Sequence, residues 1–311
     1  MATEKAGGIL AVVKRSVGDF LEDDCMSAAA ALSYYTVFSL PAVLVLLLLV
    51  LGAVMDPADV RGGLERQLQS LMGPSAGAGV RAILAEADRP DGGLLPTLLG
   101  VGALLFGASG ALIQLQQALN RAWEVEVRPG GFKAFLGKRI FSLGLLMAIA
   151  FFLLVSLAVS AALSAVGDRI GAWLPAGLSA AILVVINFIL SLAVIGLLFA
   201  VMFKVLPDAR IAWRDVWIGA GVTAGLFMTG KFLIGIYLGK SDPGAAYGAA
   251  GSLAVLLLWI YYSSIIVLLG AEFTQAWAAR RGKGIRPEPG AIRVRREKRV
   301  IPPGEPREAA G

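Results

Sequence analysis

The chain has 311 residues, of which 57% are hydrophobic and only 16% are charged, whereas soluble globular proteins are about 45–50% apolar and about 25% charged. It contains 28 Lys and Arg against 22 Asp and Glu, no histidine, and a single cysteine, Cys25. These counts exclude an internal disulfide and histidine-dependent metal or acid–base sites, and they favour a membrane protein over a soluble enzyme.

The N-terminal segment, residues 1–27, is predicted to be cytoplasmic and to carry a short amphipathic helix on the inner membrane surface. Acidic residues precede the following apolar run and no small-residue cleavage site comes after it, which argues against a cleaved signal peptide. The apolar side chains at helical spacing are Leu10, Val13, Val17 and then Phe20 or Leu21.

Six uninterrupted apolar blocks follow, each long enough to cross a ~30 Å hydrocarbon core as a helix. They are too long for barrel strands, which have about 10 residues of alternating polarity. The predicted fold is therefore all-α, a polytopic membrane protein with a six-helix transmembrane domain over residues 28–279. The six predicted spans are Ala28–Met55, Leu94–Leu119, Phe141–Val166, Leu178–Phe203, Val216–Leu238 and Ser252–Ala278.

The basic residues predict the orientation of these spans. Of the 28 Lys and Arg, 21 lie in the N-terminal segment, the second and fourth connections and the C-terminal tail, while six lie in the other connections. The positive-inside rule therefore places both chain ends in the cytoplasm. The first connection, residues 56–93, is predicted to be external and to contain two short amphipathic helices.

The tail, residues 280–311, is basic and rich in proline, so that it is predicted to be disordered. Its charge favours anionic lipid head groups, with about 1 kcal/mol for each basic residue near the surface. Nucleic acid is the alternative ligand for such charge, but no aromatic residues are interleaved for base stacking, and no nucleic-acid binding is predicted. A homo-oligomer and an envelope partner protein are both compatible with this sequence.

Two ionisable residues, Lys231 and Glu272, fall inside predicted spans. A charge at a helix centre in the membrane costs at least about 2.5 kcal/mol, so each is expected to face protein or water. One interpretation is that both line a polar cavity that meets a charged head group or a coupling proton. The other is that Lys231 snorkels to the outer interface and Glu272 has a hydrogen-bonded packing role. Their predicted depths differ by ~10 Å, so a direct salt bridge would need a broken or tilted helix.

Polar residues in other spans have two interpretations, since amides and hydroxyls either bind helices together or line a substrate path. The second span ends in a polar stripe that includes Gln116, and the fourth span contains one asparagine. Glycine pairs and one proline are predicted to mark close helix packing or hinges. The predicted path residues are Lys231, Glu272, Gln114, Gln117, Asn120, Arg121, Asn187, Tyr34, Tyr247 and Tyr261. The predicted hinge or packing residues are Pro41, Gly221, Gly225, Gly235 and Gly239.

Five segments in order resemble the YihY/BrkB family of bacterial inner-membrane proteins. They are AAALSYYTVFSLP (29–41), FGASGALIQLQQALNRAWEV (106–125), LPDARIAWRDVWIGA (206–220), GKFLIGIYLG (230–239) and YGAAGSLAVLLLWIYYSSIIVLLGAEFT (247–274). The resemblance implies a six-helix protein whose relatives have been linked to export of lipid-like envelope precursors, to solute movement or to serum resistance. The family has also been labelled ribonuclease BN, but the absence of histidine and of a carboxylate cluster contradicts metal-dependent ribonuclease chemistry.

These observations favour a transporter or flippase-like protein that moves an amphipathic substrate, a lipid or a lipid-linked envelope precursor. The alternatives are a scaffold or envelope-integrity protein without transport activity and a small-solute exporter. A membrane-bound hydrolase is disfavoured because the chain lacks histidine as a general base. No enzymatic activity, cofactor or metal site is predicted.

Overall fold

The computed structural model describes residues 8–53, 55–56, 58–66, 109–127, 137, 144, 176–241, 251–281 and 284–294. Nearly all of the predicted third span, most of the loop 56–93 and the first half of the second span lie outside the described residues. The described chain is mostly helical. Its helices are α1 (Ile9–Glu22), α2 (Cys25–Gly52), α3 (58–66), α4 (109–122), α5 (Ala176–Val205), α6 (Trp213–Ser241) and α7 (Gly251–Arg280). Its strands are β1 (Val125–Val127), β2 (Ala209–Arg210), β3 (Arg286–Pro287) and β4 (Ala291–Arg293).

Four of the helices, α2, α5, α6 and α7, are long and apolar enough to cross a membrane. They have 28, 30, 29 and 30 residues, which corresponds to ~42–45 Å and so to a bilayer with its head-group layers. The expectation of an all-α membrane protein is confirmed at this level. The helix α2 continues through Pro41.

The helix predicted at the N terminus is present as α1. Its buried residues Val12, Ser16 and Phe20 recur at intervals of four and face the bundle, where Val12 packs with Phe273 and Ala276 of α7. The opposite face is exposed, with Leu10 the most exposed of its apolar side chains. The helix is thus attached to the bundle along one face only.

The helix ends meet at one end of the bundle, which we call the sheet end. It comprises the start of α2, the end of α4, the turn from α5 to α6, and the end of α7. The largest group of buried side chains lies here, with the fully buried rings of Trp123 and Phe203 at its centre. The indole Nε1 of Trp123 donates a hydrogen bond of 3.0 Å to the carbonyl oxygen of Ala271, which ties α4 to α7.

Helices α6 and α7 approach closely through two reciprocal glycine–threonine contacts. A Cβ at Gly219 would overlap the Thr274 hydroxyl, and a Cβ at Gly270 would overlap the Thr223 hydroxyl. Each threonine hydroxyl donates to the carbonyl oxygen of the glycine four residues earlier on its own helix, at 2.7 Å. Small residues of this kind let helix backbones approach in a membrane.

Three of the glycines predicted to mark close packing or hinges in this helix have no close neighbour among the described residues. An added Cβ at Gly221, Gly225 or Gly235 would meet no atom of the described residues within 4 Å. The side-chain surroundings of Gly239 lie outside the described part of the chain. The contact with α7 lies two residues before Gly221 and Gly225 on α6, because the face of α6 that carries Gly219 and Thr223 is the one turned towards α7.

The C-terminal segment differs from the expected disordered tail over residues 284–294. Strand β4 pairs antiparallel with β1, from Val125 opposite Arg293 to Val127 opposite Ala291. Strand β3 pairs antiparallel with β2. This proline-containing segment has a low propensity to form β-strands. Its backbone hydrogen bonds to β1 and β2, which are fixed at helix ends, offset that low propensity. Residues 295–311 lie outside the described residues.

Candidate functional site

The carboxyl group of Glu272 lies inside the bundle near the sheet end. Its side chain has 0% exposed surface, and Cys25 Sγ donates a hydrogen bond of 3.5 Å to its Oε1. Glu272 is eight residues before the end of α7, which corresponds to ~12 Å along the helix. With the end of α7 at the outer edge of a head-group layer about 6 Å thick, this distance corresponds to a carboxyl ~6 Å inside the hydrocarbon boundary.

Other acidic residues act electrostatically on Glu272 from three elements. Asp19 belongs to α1, Asp23 to the turn before α2, and Glu124 to the turn after α4. Glu124 has a positive φ of 54° that bends the chain between α4 and β1. Asp19 is paired with Arg15 at 3.2 Å and Glu124 with Arg293 at 3.0 Å, so arginines partly neutralise two of these acids.

A second polar cluster is centred on Asp208 in the turn between α5 and β2. Its Oδ2 accepts hydrogen bonds from Asn120 Nδ2 at 2.8 Å and from Gln116 Nε2 at 3.1 Å. Its backbone N–H donates to Asn120 Oδ1 at 2.9 Å. Gln116 and Asn120 of the amide stripe therefore bind α4 to the α5–α6 turn. For these two residues the contacts match the interpretation that amides hold helices together.

The C-terminal segment, residues 284–294, joins these clusters through its two strands. Arg293 contacts Glu124 through Nη2 at 3.0 Å, and the N–H of Val294 donates to the Glu124 carbonyl oxygen at 2.9 Å. On the other strand, the N–H of Glu288 donates to the Asp208 carbonyl oxygen at 3.0 Å. One short segment thus fixes the ends of α4, α5 and α7 relative to one another.

Lys231 lies far from Glu272, so that the two predicted residues do not form one site. On α6 and α7, Gly219 lies against Thr274 and Gly230 lies against Tyr262. This antiparallel register places Lys231 level with Tyr262, about ten residues or ~15 Å from Glu272 along the helix axis. Lys231 is half-buried, and none of the ion pairs in the described part of the chain includes it.

The remaining predicted path residues are spread over the molecule. Gln114 and Tyr261 are half-buried, and Tyr261 packs against the largest buried cluster. The exposed ones are Gln117, Arg121 and Tyr34, whose ring lies 4.7 Å from that of Phe38 between centroids. Asn187 belongs to α5, but its side chain lies outside the described part, as does Tyr247.

Sequence reasoning missed Cys25, Trp123 and Asp208. Cys25 is 247 residues from Glu272 in sequence and resembled an ordinary small residue at the start of a span. Asp208 had a usable signal, since it is a carboxylate placed just after a span at the side where the amide stripe also ends. Trp123 follows that stripe directly, and its N–H needs an acceptor when it is buried.

Known proteins resemble this chain over most of its length. Residues 16–293 match the family profile described as Virulence factor BrkB, which confirms the resemblance noted from the motifs. A protein named UPF0761 membrane protein from Psychrobacter sp. (strain PRwf-1) is 30% identical over 83% of this chain and 46% of its own length. A UPF0761 membrane protein from Alcanivorax borkumensis is 30% identical over 84% of this chain and 58% of its own length.

The same holds for a UPF0761 membrane protein from Pseudomonas aeruginosa (strain LESB58), which is 30% identical over 81% of this chain and 59% of its own length. The chain thus spans about half the length of the curated relatives that it matches. The names of these relatives describe membrane proteins. No solved structure matches the chain.

Proposed function

The chain belongs to the virulence factor BrkB family, and we propose that it is a multi-pass protein of the bacterial inner membrane that moves an amphipathic substrate between leaflets. The substrate class is a lipid or a lipid-linked envelope precursor. The observation that supports this most is Glu272, a carboxyl with no exposed surface in a helix long enough to span a bilayer. Ionisable residues at such positions occur chiefly at substrate paths, ion paths and proton relays.

Within this proposal, Glu272 is the group that binds and releases a proton or holds a cationic part of the substrate. Once it has lost its proton, the carboxylate of Glu272 itself attracts a cationic group at this point. The Cys25 thiol donates to the carboxyl and holds its orientation. Lys231, ~15 Å deeper by the register of α6 and α7, acts separately, as a contact for an anionic substrate group in mid-membrane.

The proposed topology has six spans with both chain ends in the cytoplasm. It is supported by the sheet end, where the start of α2 and the end of α7 meet and where β1 and β2 pair with strands β4 and β3 of the C-terminal segment. An even number of crossings is needed to bring the start of the first span and the end of the last to one side. The basic residues favour the cytoplasm for that side.

The scaffold alternative gains less support. A scaffold would present its C-terminal segment to a partner, but the backbone of residues 286–293 is already paired with β1 and β2. Deletion of the whole tail therefore cannot separate the two functions, because it also removes part of the fold. Only residues beyond Val294 are suitable for that comparison.

The test is lipid movement in proteoliposomes that contain the full chain and a trace of head-group-labelled phosphatidylethanolamine. An impermeant reductant destroys the label in the outer leaflet, and the remaining fluorescence decays only as lipid crosses. We expect faster decay than in protein-free vesicles, with and without an imposed pH difference. Decay at the protein-free rate under both conditions, for phosphatidylethanolamine and phosphatidylglycerol alike, would contradict lipid as the substrate.

The site within the protein is tested with Glu272→Gln. Glutamine keeps the size of the side chain and an oxygen that accepts the Cys25 hydrogen bond, so the bundle should remain folded while the group can no longer ionise. The matched control is Glu126→Gln, the same change at an exposed carboxyl of β1. Loss of movement in the first variant and its retention in the second supports the assignment, whereas equal rates contradict it.

A further inference from the structure

Two arginines oppose each other across the small sheet formed by β2 and β3. Arg210 lies directly opposite Arg286, and opposed residues of an antiparallel pair share one face with Cβ atoms about 4.5–5.5 Å apart. Both side chains are exposed, and none of the ion pairs in the described part of the chain involves them. Like charges in this arrangement destabilise a sheet, and an anion bound between them would remove that repulsion.

Further basic and aromatic side chains lie next to this pair at the start of α6. Trp213 is 53% exposed and Trp217 is 50% exposed, on successive turns of the helix. Arg214 between them is exposed, and Lys204 Nζ lies 5.5 Å from the centroid of the Trp213 ring. Exposed tryptophans at the end of a membrane-crossing helix are typical of the lipid–water boundary.

The length of α6 places this surface at the depth of lipid phosphates. Its 29 residues extend ~43 Å, which matches the ~40–45 Å of a bilayer with both head-group layers. Trp213, the first residue of α6, therefore lies in the head-group layer. Arg210 is three residues earlier and so lies within ~10 Å of it.

We propose that Arg210, Arg214 and Arg286 bind the phosphate of an anionic phospholipid in the leaflet at the sheet end, with Trp213 and Trp217 against its glycerol and upper acyl region. Guanidinium groups suit this role because their planar forks match phosphate oxygens. Repulsion between two opposed arginines is the cost that the bound lipid offsets. The proposal holds whether or not the protein moves lipid.

The experiment measures the stabilisation of the full chain by added lipid in a zwitterionic detergent. The thermal unfolding midpoint is recorded against increasing phosphatidylglycerol, phosphatidylcholine or inorganic phosphate. Of these three additives, we expect only phosphatidylglycerol to raise the thermal unfolding midpoint of the wild-type protein. In Arg210→Gln/Arg286→Gln the half-maximal concentration should rise roughly 30-fold, which corresponds to about 2 kcal/mol for two basic residues near the surface.

A matched control removes two other exposed charges, in Lys14→Gln/Arg15→Gln on α1. It should keep the wild-type response, and so establish that the effect is local. Without lipid, Arg210→Gln/Arg286→Gln should unfold at or above the wild-type midpoint because the repulsion is gone. Arg214→Gln, which leaves the sheet intact, should weaken the lipid response about fivefold.

Three outcomes would overturn the proposal. The first is an unchanged phosphatidylglycerol response in both the Arg210→Gln/Arg286→Gln and Arg214→Gln variants. The second is an equal loss in the α1 control, which would indicate general attraction to net charge. The third is a full response to millimolar inorganic phosphate, which would make the surface a site for a soluble anion.

Discussion

The contact between α6 and α7 allows a sharp test with two substitutions of the same kind. In Gly219→Ala the new methyl group would overlap the Thr274 hydroxyl and would lie 2.9 Å from the Thr274 Cβ. The threonine cannot rotate freely, since its hydroxyl donates to the Gly270 carbonyl oxygen. In Gly221→Ala the methyl group meets no atom of the described residues within 4 Å.

The two variants should therefore differ in their effect on the free energy of unfolding. Overpacking at Gly219 should destabilise by about 1–3 kcal/mol. The change at Gly221 should be neutral or should stabilise by up to about 1 kcal/mol, because alanine has the higher helix propensity. The assay is reversible unfolding of the purified full chain by SDS in mixed micelles, followed by helical circular dichroism.

A second-site change checks that Thr274 is the cause. Thr274→Ala removes Oγ1 and Cγ2, which both lie close to the position of the new methyl group. Gly219→Ala should therefore destabilise the Thr274→Ala protein less than it destabilises the wild type, with a coupling energy of about 1 kcal/mol. Equal effects of Gly219→Ala and Gly221→Ala, or additivity of Gly219→Ala with Thr274→Ala, would refute the proposed register of the two helices.

Three further predictions concern the sheet end. Asn120→Ala removes both hydrogen bonds between Asn120 and Asp208, leaves the one from Gln116, and should lower the free energy of unfolding by about 1–3 kcal/mol; the exposed Gln117→Ala should leave it unchanged in the same SDS titration. Cys25 is 2% exposed and should react with a maleimide only as the protein unfolds, so complete labelling of the folded protein would contradict its burial. Deletion of 284–311 should lower the free energy of unfolding, relative to deletion of 295–311 alone, by about 1 kcal/mol for each backbone hydrogen bond lost, and equal free energies for the two deletions would contradict the pairing of β3 and β4 with β2 and β1.

The spans were the easiest features to predict, because uninterrupted apolar length is a property of the sequence alone. Four predicted spans correspond to α2, α5, α6 and α7, with ends displaced by about three residues or fewer. The ends of the helices depend on packing and on the segments that follow them, and hydropathy carries no information about either. The buried position of Glu272 was also expected from the free energy required to place an ionisable group in lipid.

The contacts between elements could not be predicted in the same way. Glycine spacing in α6 offered several registers, and only the structure identifies the face that carries Gly219 as the one against α7. Strands β3 and β4 were missed because strands of two or three residues leave little periodicity, and proline and charge dominated the composition of the tail. Pairing with β1 and β2, more than 70 residues away in sequence, is a property of the fold.

The most direct test of the transport proposal is the ratio of lipid-crossing rates in proteoliposomes of wild type and Glu272→Gln at equal protein density. The account predicts a wild-type rate well above that of empty vesicles and a variant rate near the empty-vesicle value. Equal rates in wild type and Glu272→Gln, with both proteins folded and inserted, would contradict the assignment of the buried carboxyl to the path.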